Sequence, residues 1–171
     1  YKTIYGYCCR QLFNTFITIF KNNNQGRTLN IAVSPIHHTS FRDIIETNFD
    51  SENIHILDID DNYQTLTIPK NKRNMNFDLI IITHLWGKYL NIDDILKNKK
   101  ESLIVEDVVL AGEYQFEFDN GSDLLFHSCG MDKRPSSIFG AYVHIKDNHS
   151  QLIKQMITSI YALDLPSRTE I

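Results

Sequence analysis

Between Phe77 and Leu85 the chain reads FDLIIITHL, and Leu79 to Ile82 is an unbroken aliphatic stretch rich in isoleucine. Such a run is too short for a buried helix and has the β-branched character of a strand. A strand that is apolar on both sides must be covered on both faces, which is the situation of a central strand in a parallel sheet. The rest of the chain must therefore supply helices for two faces.

The remaining segments meet that demand. TLNIAVS (Thr28 to Ser34), NIHILDI (Asn53 to Ile59), SLIVED (Ser102 to Asp107), SDLLFHS (Ser122 to Ser128) and SIFGAYVHI (Ser137 to Ile145) read as strands, with QTLTI (Gln64 to Ile68) as a short one. GYCCRQLFNTFITIFK (Gly6 to Lys21) places Leu12, Phe13, Phe16, Ile17 and Phe20 at helical spacing. SFRDIIETNF, NIDDILKN with an Asn cap, and HSQLIKQMITSIYAL (His149 to Leu163) are further helices. Alternating strands and helices imply an α/β fold, a three-layer αβα sandwich around a mixed, mostly parallel sheet. The last two strands are joined by a short connection, so one of them is expected to run antiparallel.

Composition narrows the class. At 171 residues the chain fits one domain, and 42% apolar against 22% charged residues is the balance of a globular protein. A net charge of −4 with scattered Lys and Arg gives no nucleic-acid face, and no apolar run nears the ~20 residues that span a bilayer. The expected partners therefore include neither nucleic acid nor membrane. Cys8, Cys9 and Cys129 are poor material for a disulfide framework, which points to a reducing, cytoplasmic location. No CxxC or HxxxH spacing marks a metal. Tyr1 in place of Met and the closing LPSRTEI suggest a piece of a longer chain.

Ligands of such sheets bind outside the carboxyl ends of the strands. Polar residues collect there: Ser34 with His37, His38 and Thr39, then His84, Glu106 with Asp107, His127 with Ser128, and Lys133. Each has a structural alternative. Asp107 could cap a turn, His84 could be a core histidine bonded to backbone, His37 and His38 could be solvated, Lys133 could be a surface lysine, and Cys8 and Cys9 could simply pack.

Taken together, the segments resemble the large domain of fold type I pyridoxal-phosphate enzymes, most closely the DegT/DnrJ/EryC1/StrS aminotransferases. HLWG (His84 to Gly87) stands where that family has H-L-[YF]-G, and NIDDI stands for its D-[ML]-D-x-I helix. VEDVVLAG (Val105 to Gly112) matches most of [IV]-E-D-x-A-x-A-x-G. SDLLFHSCGMDK (Ser122 to Lys133) fits G-D-x-x-x-F-S-F-x-x-x-K, with both the Asp-to-Ser and the Ser-to-Lys intervals kept. The resemblance runs over about Gly6 to Lys146, and Thr83 to Lys133 carries most of it.

That resemblance implies a set of roles. Lys133 would form a Schiff base with pyridoxal 5'-phosphate and move the substrate proton. Asp107 would pair with the pyridine nitrogen. Ser128, and the turn at Tyr7 and Cys8, would receive the phosphate. His37 or His38 would stack on the ring. It further implies residues 1–165 as a partial cofactor-binding large domain, with 166–171 leading to a small C-terminal domain, and a homodimer. The substrates would be an amino-acid donor and a keto-sugar nucleotide or similar ketone. Departures are Leu110 for a Gln, Tyr7-Cys8 for Gly-Thr, and IFGA for a glycine-rich strand. They leave open a non-catalytic relative used for binding. The HHTS stretch leaves open another cofactor reaction such as cysteine desulfuration, with Cys129 as the nearby thiol.

Overall fold

The computed structural model describes residues 1–85, 87–111, 121–129 and 140–162. Seven strands form one sheet: β1 (Lys2–Gly6), β2 (Ile31–Val33), β3 (Ile54–Ile56), β6 (Leu79–Thr83), β7 (Leu103–Asp107), β8 (Leu124–Ser128) and β9 (Ala141–Ile145). A separate hairpin joins β4 (Asp58–Ile59) to β5 (Leu66–Thr67). The order across the large sheet is β1-β9-β8-β7-β6-β2-β3. Pairings from β3 through β8 are parallel, and β9 is antiparallel to both β8 and β1. The mixed, mostly parallel sheet expected from the sequence is therefore present, and β9 is its reversed strand.

All five residues of β6 are buried, as its aliphatic run requires. The two sides of the sheet carry different layers. Helices α1 (Cys9–Asn23), α2 (Thr39–Asn48) and α4 (Ser150–Tyr161) pack on the side presented by Ile31, Leu79, Val105, Phe126 and Val143. Helix α3 (Asp93–Asn98) and the β4–β5 hairpin cover Ala32, Ile80, Ile82 and Ile104 on the other. The expected Asn cap is not formed: Ile92 holds the cap position of α3 without a side-chain bond, and Asn91, one residue earlier, accepts the Asp93 amide on Oδ1 at 2.9 Å.

Two elements differ from the sequence reading. The helix expected from Gly6 starts at Cys9, because Lys2–Gly6 is a strand paired along β9. Gly6 makes the turn between them possible: a Cβ there would lie 2.7 Å from a Leu12 methyl. The strand expected over Asn53–Ile59 divides at Leu57. Leu57 donates its amide to Val33, and the chain then leaves the large sheet for the hairpin.

At the amino-terminal edge Asp123 fastens β8. Its Oδ2 accepts the Ile104 amide at 2.9 Å, and its Oδ1 accepts Nε2–H of His149 at 2.9 Å. The Asp that the sequence places in the strand-opening motif is thus a fastening at the edge opposite the polar rim.

On the face away from α1, His127 stacks on Tyr142 at 4.5 Å and His144 bonds Thr3 Oγ1 at 2.8 Å. Burial, then the nearby His144, lowers the His127 pKa to about 3. Burial, then the terminal ammonium, lowers that of His144 to about 4. Both rings are neutral when folded, while in the unfolded chain they take up protons near pH 6.5. Their contribution to stability is complete above that value and is lost as the pH falls toward 4 and 3. Thermal unfolding followed from pH 7.5 to 4.5 should show a falling midpoint, and His144→Asn should flatten the dependence.

Candidate active site

The carboxyl ends of β2, β6, β7 and β8 lie side by side, and their last residues form one rim. Thr83 on β6 is registered opposite Asp107 on β7. Ser34 follows β2 and is buried, and its Oγ accepts the Thr83 amide at 2.9 Å. Ser128 closes β8.

Alternation along the strands decides which side each group faces. Val105 and Phe126 belong to the α1 side, so Asp107 and Ser128, two residues on, face that side as well. Helix α1 reaches the rim because Phe13, one turn inside it, packs edge-on against Phe126 at 5.6 Å. Cys9 in the first turn is buried, and the burial, followed by the charge of Asp107, raises its thiol pKa well above normal. That coupling places the start of α1 close to Asp107.

The first turn of α1 is open to an anion. Cys8 precedes it in extended conformation and makes no side-chain cap, and the turn holds no acidic residue. Unpaired amides at a helix start, with the positive end of the helix dipole, favour a phosphate or carboxylate. Gln11 accepts the Tyr7 amide at 2.9 Å, so that one amide is occupied. Tyr7 and Cys8 are exposed, and Cys9 is the packing thiol of the pair.

Asp107 is buried, and its Oδ1 accepts the Val109 amide at 3.0 Å, so the carboxylate is held by its own turn. The turn-capping alternative therefore operates together with placement at the rim. Leu110, three residues on, is 39% exposed, and its carbonyl accepts the Gly87 amide.

The two neighbouring histidines part ways. His38 is exposed and caps α2, accepting the Ser40 amide on its ring at 3.2 Å. His37 turns inward, with Nδ1 2.9 Å from Thr83 Oγ1, and burial lowers its pKa to about 4. Of the two, His37 is the ring at the rim. Lys133, the most distinctive residue of the sequence reading, lies outside the described residues, as do Asp132 and Arg134.

His84 is a core histidine, fully buried on the other side of the sheet. Its Nδ1 accepts the Leu90 amide at 2.9 Å, so Nε2 carries the hydrogen and donates to Glu106. Sequence reading named both residues without linking them. It passed over Thr83, whose only signal was a polar side chain ending an aliphatic run. Among the described residues no His, Cys, Asp and Glu group is arranged to hold a metal ion.

These residues suit pyridoxal phosphate on the geometry just given. The helix start and Ser128 suit a phosphate, Asp107 suits a cationic ring nitrogen, and His37 offers a flat ring. Compared by sequence, the chain matches no family model and no curated protein. Solved structures do match in three dimensions. A NifS-like protein superposes with a TM-score of 0.69 at 15% identity, over 84% of this chain and 42% of that one. A sugar aminotransferase from Micromonospora echinospora gives 0.66 at 16%, over 90% and 44%. NtdA from Bacillus subtilis with bound cofactor PMP gives 0.65 at 15%, over 92% and 36%. The chain spans less than half the length of each. At such identities the likeness establishes the fold: this is the large-domain fold of type I pyridoxal-phosphate enzymes.

Removing one partner of the His84–Glu106 pair leaves the other buried without it. His84→Ala should lower unfolding stability by about 3–5 kcal/mol in a denaturant titration, whereas His38→Ala should cost about 1 kcal/mol, the worth of a helix cap.

Proposed function

We propose that the chain is the cofactor-binding part of a pyridoxal-phosphate-dependent, aminotransferase-like enzyme. It would move an amino group from an amino acid to a keto-sugar nucleotide or a similar ketone, as a cytoplasmic homodimer. The observation that carries this reading is the convergence of buried Asp107, Ser128 and the uncapped start of α1 on one face of the sheet at the carboxyl rim. Its support is the sugar aminotransferase among the structural likenesses and the motif spacing that ends at Lys133.

When bound, pyridoxal phosphate supplies an electron sink for a carbanion at the substrate carbon. The protein's part is to hold and tune it. Asp107, buried at the base of the site, would keep a ring nitrogen protonated. The amides of α1 and the Ser128 hydroxyl would bind the phosphate and fix the ring's angle. His37, held by Thr83, would support one face of the ring. Lys133 would anchor the cofactor covalently and then shuttle a proton, a task for an amine whose pKa is lowered by its surroundings.

Two other readings are separable. A binding-only relative draws support from Leu110, an exposed aliphatic where the aminotransferase motif has Gln. Desulfuration draws on the likeness to the NifS-like protein. It needs a reactive thiolate, and burial raises the pKa of Cys129, which makes thiolate scarce near neutral pH.

Adding pyridoxal phosphate to the protein should produce an absorption band at the visible edge, and borohydride should fix the cofactor on Lys133, as found by peptide mass mapping. Lys133→Ala should abolish both. A wild-type protein that forms no band, or a variant that keeps it, removes the reading.

A further inference from the structure

The amino-terminal edge of the sheet, opposite the carboxyl rim, holds a cavity of its own. It measures about 670 Å³ and lies where the end of α1 meets the residues that open β6 and β7. That is the size of a small-molecule pocket. Phe20, Phe77 and Leu103 give it an apolar lining, and Arg27, Lys100, Asp78 and Glu101 add two charges of each sign. The five residues of β7 put it about 15 Å from Asp107 at the rim.

The local chain holds both cations in place. Arg27 donates to Asn24 Oδ1 at 3.3 Å and to Asp78 Oδ1 at 3.0 Å, while Asp78 Oδ2 accepts the Asn30 amide at 2.9 Å. A guanidinium carries five N–H groups, so Arg27 retains donors for a further acceptor. Lys100 has a φ of +50°, a left-handed conformation uncommon outside glycine. The Ser102 amide closes that turn on the Lys99 carbonyl at 2.8 Å, and Ser102 Oγ ties it to the Phe77 carbonyl at 2.7 Å. The Lys100 ammonium donates to the Asn74 carbonyl at 3.1 Å and to Asn76 Oδ1 at 2.6 Å. Both acceptors are neutral, so its charge stays uncancelled. Neither Lys100 nor Glu101 forms an ion pair among the described residues.

A simple anion in this cavity meets Asp78 and Glu101, and a simple cation meets Arg27 and Lys100. A ligand that carries both charges close together escapes either repulsion. The end of α1 contributes the negative pole of its dipole, which favours the cationic half. We propose that the cavity binds a free α-amino acid with an apolar side chain. Its carboxylate is received by Arg27 and Lys100, its ammonium by Glu101, and its side chain lies against Phe20, Phe77 and Leu103. Distance from the rim makes such a ligand an effector rather than a substrate. The proposal stands apart from the cofactor reading above.

The probe is L-leucine, with 3-methylbutylamine and 4-methylpentanoate as analogues that each lack one of its charges. Dissociation constants are measured by calorimetry on the wild type, Lys100→Met, Arg27→Met and Glu101→Gln, each checked for native folding by circular dichroism. Amide shifts in the wild type locate the bound probe by NMR. The expected results are saturable leucine binding, affinity about tenfold weaker for each analogue and for the Lys100 and Arg27 variants, and a smaller loss for Glu101→Gln. Shifts should centre on Asn76, Asp78, Lys100 and Leu103. No binding of leucine, an analogue that binds as well, or a Lys100→Met variant with unchanged affinity overturns the proposal. So do shifts centred on Asp107 and Ser128, which would mean that leucine binds at the rim. If Arg27→Met does not fold, Lys100→Met and the shifts decide.

Discussion

The packing of Phe13 holds the site together. Its ring stacks on Phe41 at 4.0 Å and meets Phe126 edge-on at 5.6 Å, so one side chain joins α1, α2 and β8. Each buried phenylalanine contributes about 1.5–3 kcal/mol through lost water contact, and each good ring pair adds about 0.5–1.5 kcal/mol. Helix α1 has no side-chain cap to define where it starts. This aromatic contact therefore helps to set its position along the sheet, on the face that carries Asp107 and Ser128.

Strand parity does the rest. Glu106 and Asp107 are adjacent and both buried, yet they serve opposite faces. Glu106 goes to His84 in the interior and Asp107 to the rim under α1. A slip of one residue in β7 would exchange them, leaving a carboxylate without its histidine and the rim without its anion. The registered pairs between β6 and β7, from Leu79 with Leu103 to Thr83 with Asp107, guard against that slip.

Much of this was legible in the sequence, and the reasons for the rest are physical. The aliphatic runs of β6, β7 and β8 announced a sheet covered on both sides, and the short link before β9 announced its reversal. Lys2–Gly6 carried no such sign, since Tyr1, Tyr5 and Tyr7 stay largely exposed and the strand exists only because β9 offers an edge. The division at Leu57 depends on a backbone bond to Val33, which side-chain patterns do not encode. His37 and His38 could not be told apart in one dimension, because their difference lies in Thr83, almost fifty residues away in sequence and 2.9 Å away in space. Lys133, the strongest motif residue, lies outside the described residues, so its placement rests on spacing alone.

The pairing of β1 with β9 also bears on how the chain is made. Lys2 lies beside Ile145, and Gly6 beside Ala141, so β1 must await a strand that follows it by about 140 residues. At 5–20 residues per second that delay is roughly 7 to 28 seconds. Throughout it β1 has a bare edge and α1 an apolar face, the features that promote association with other nascent chains. Synthesis rate and chaperone access during that interval should govern how much of the protein reaches its folded form.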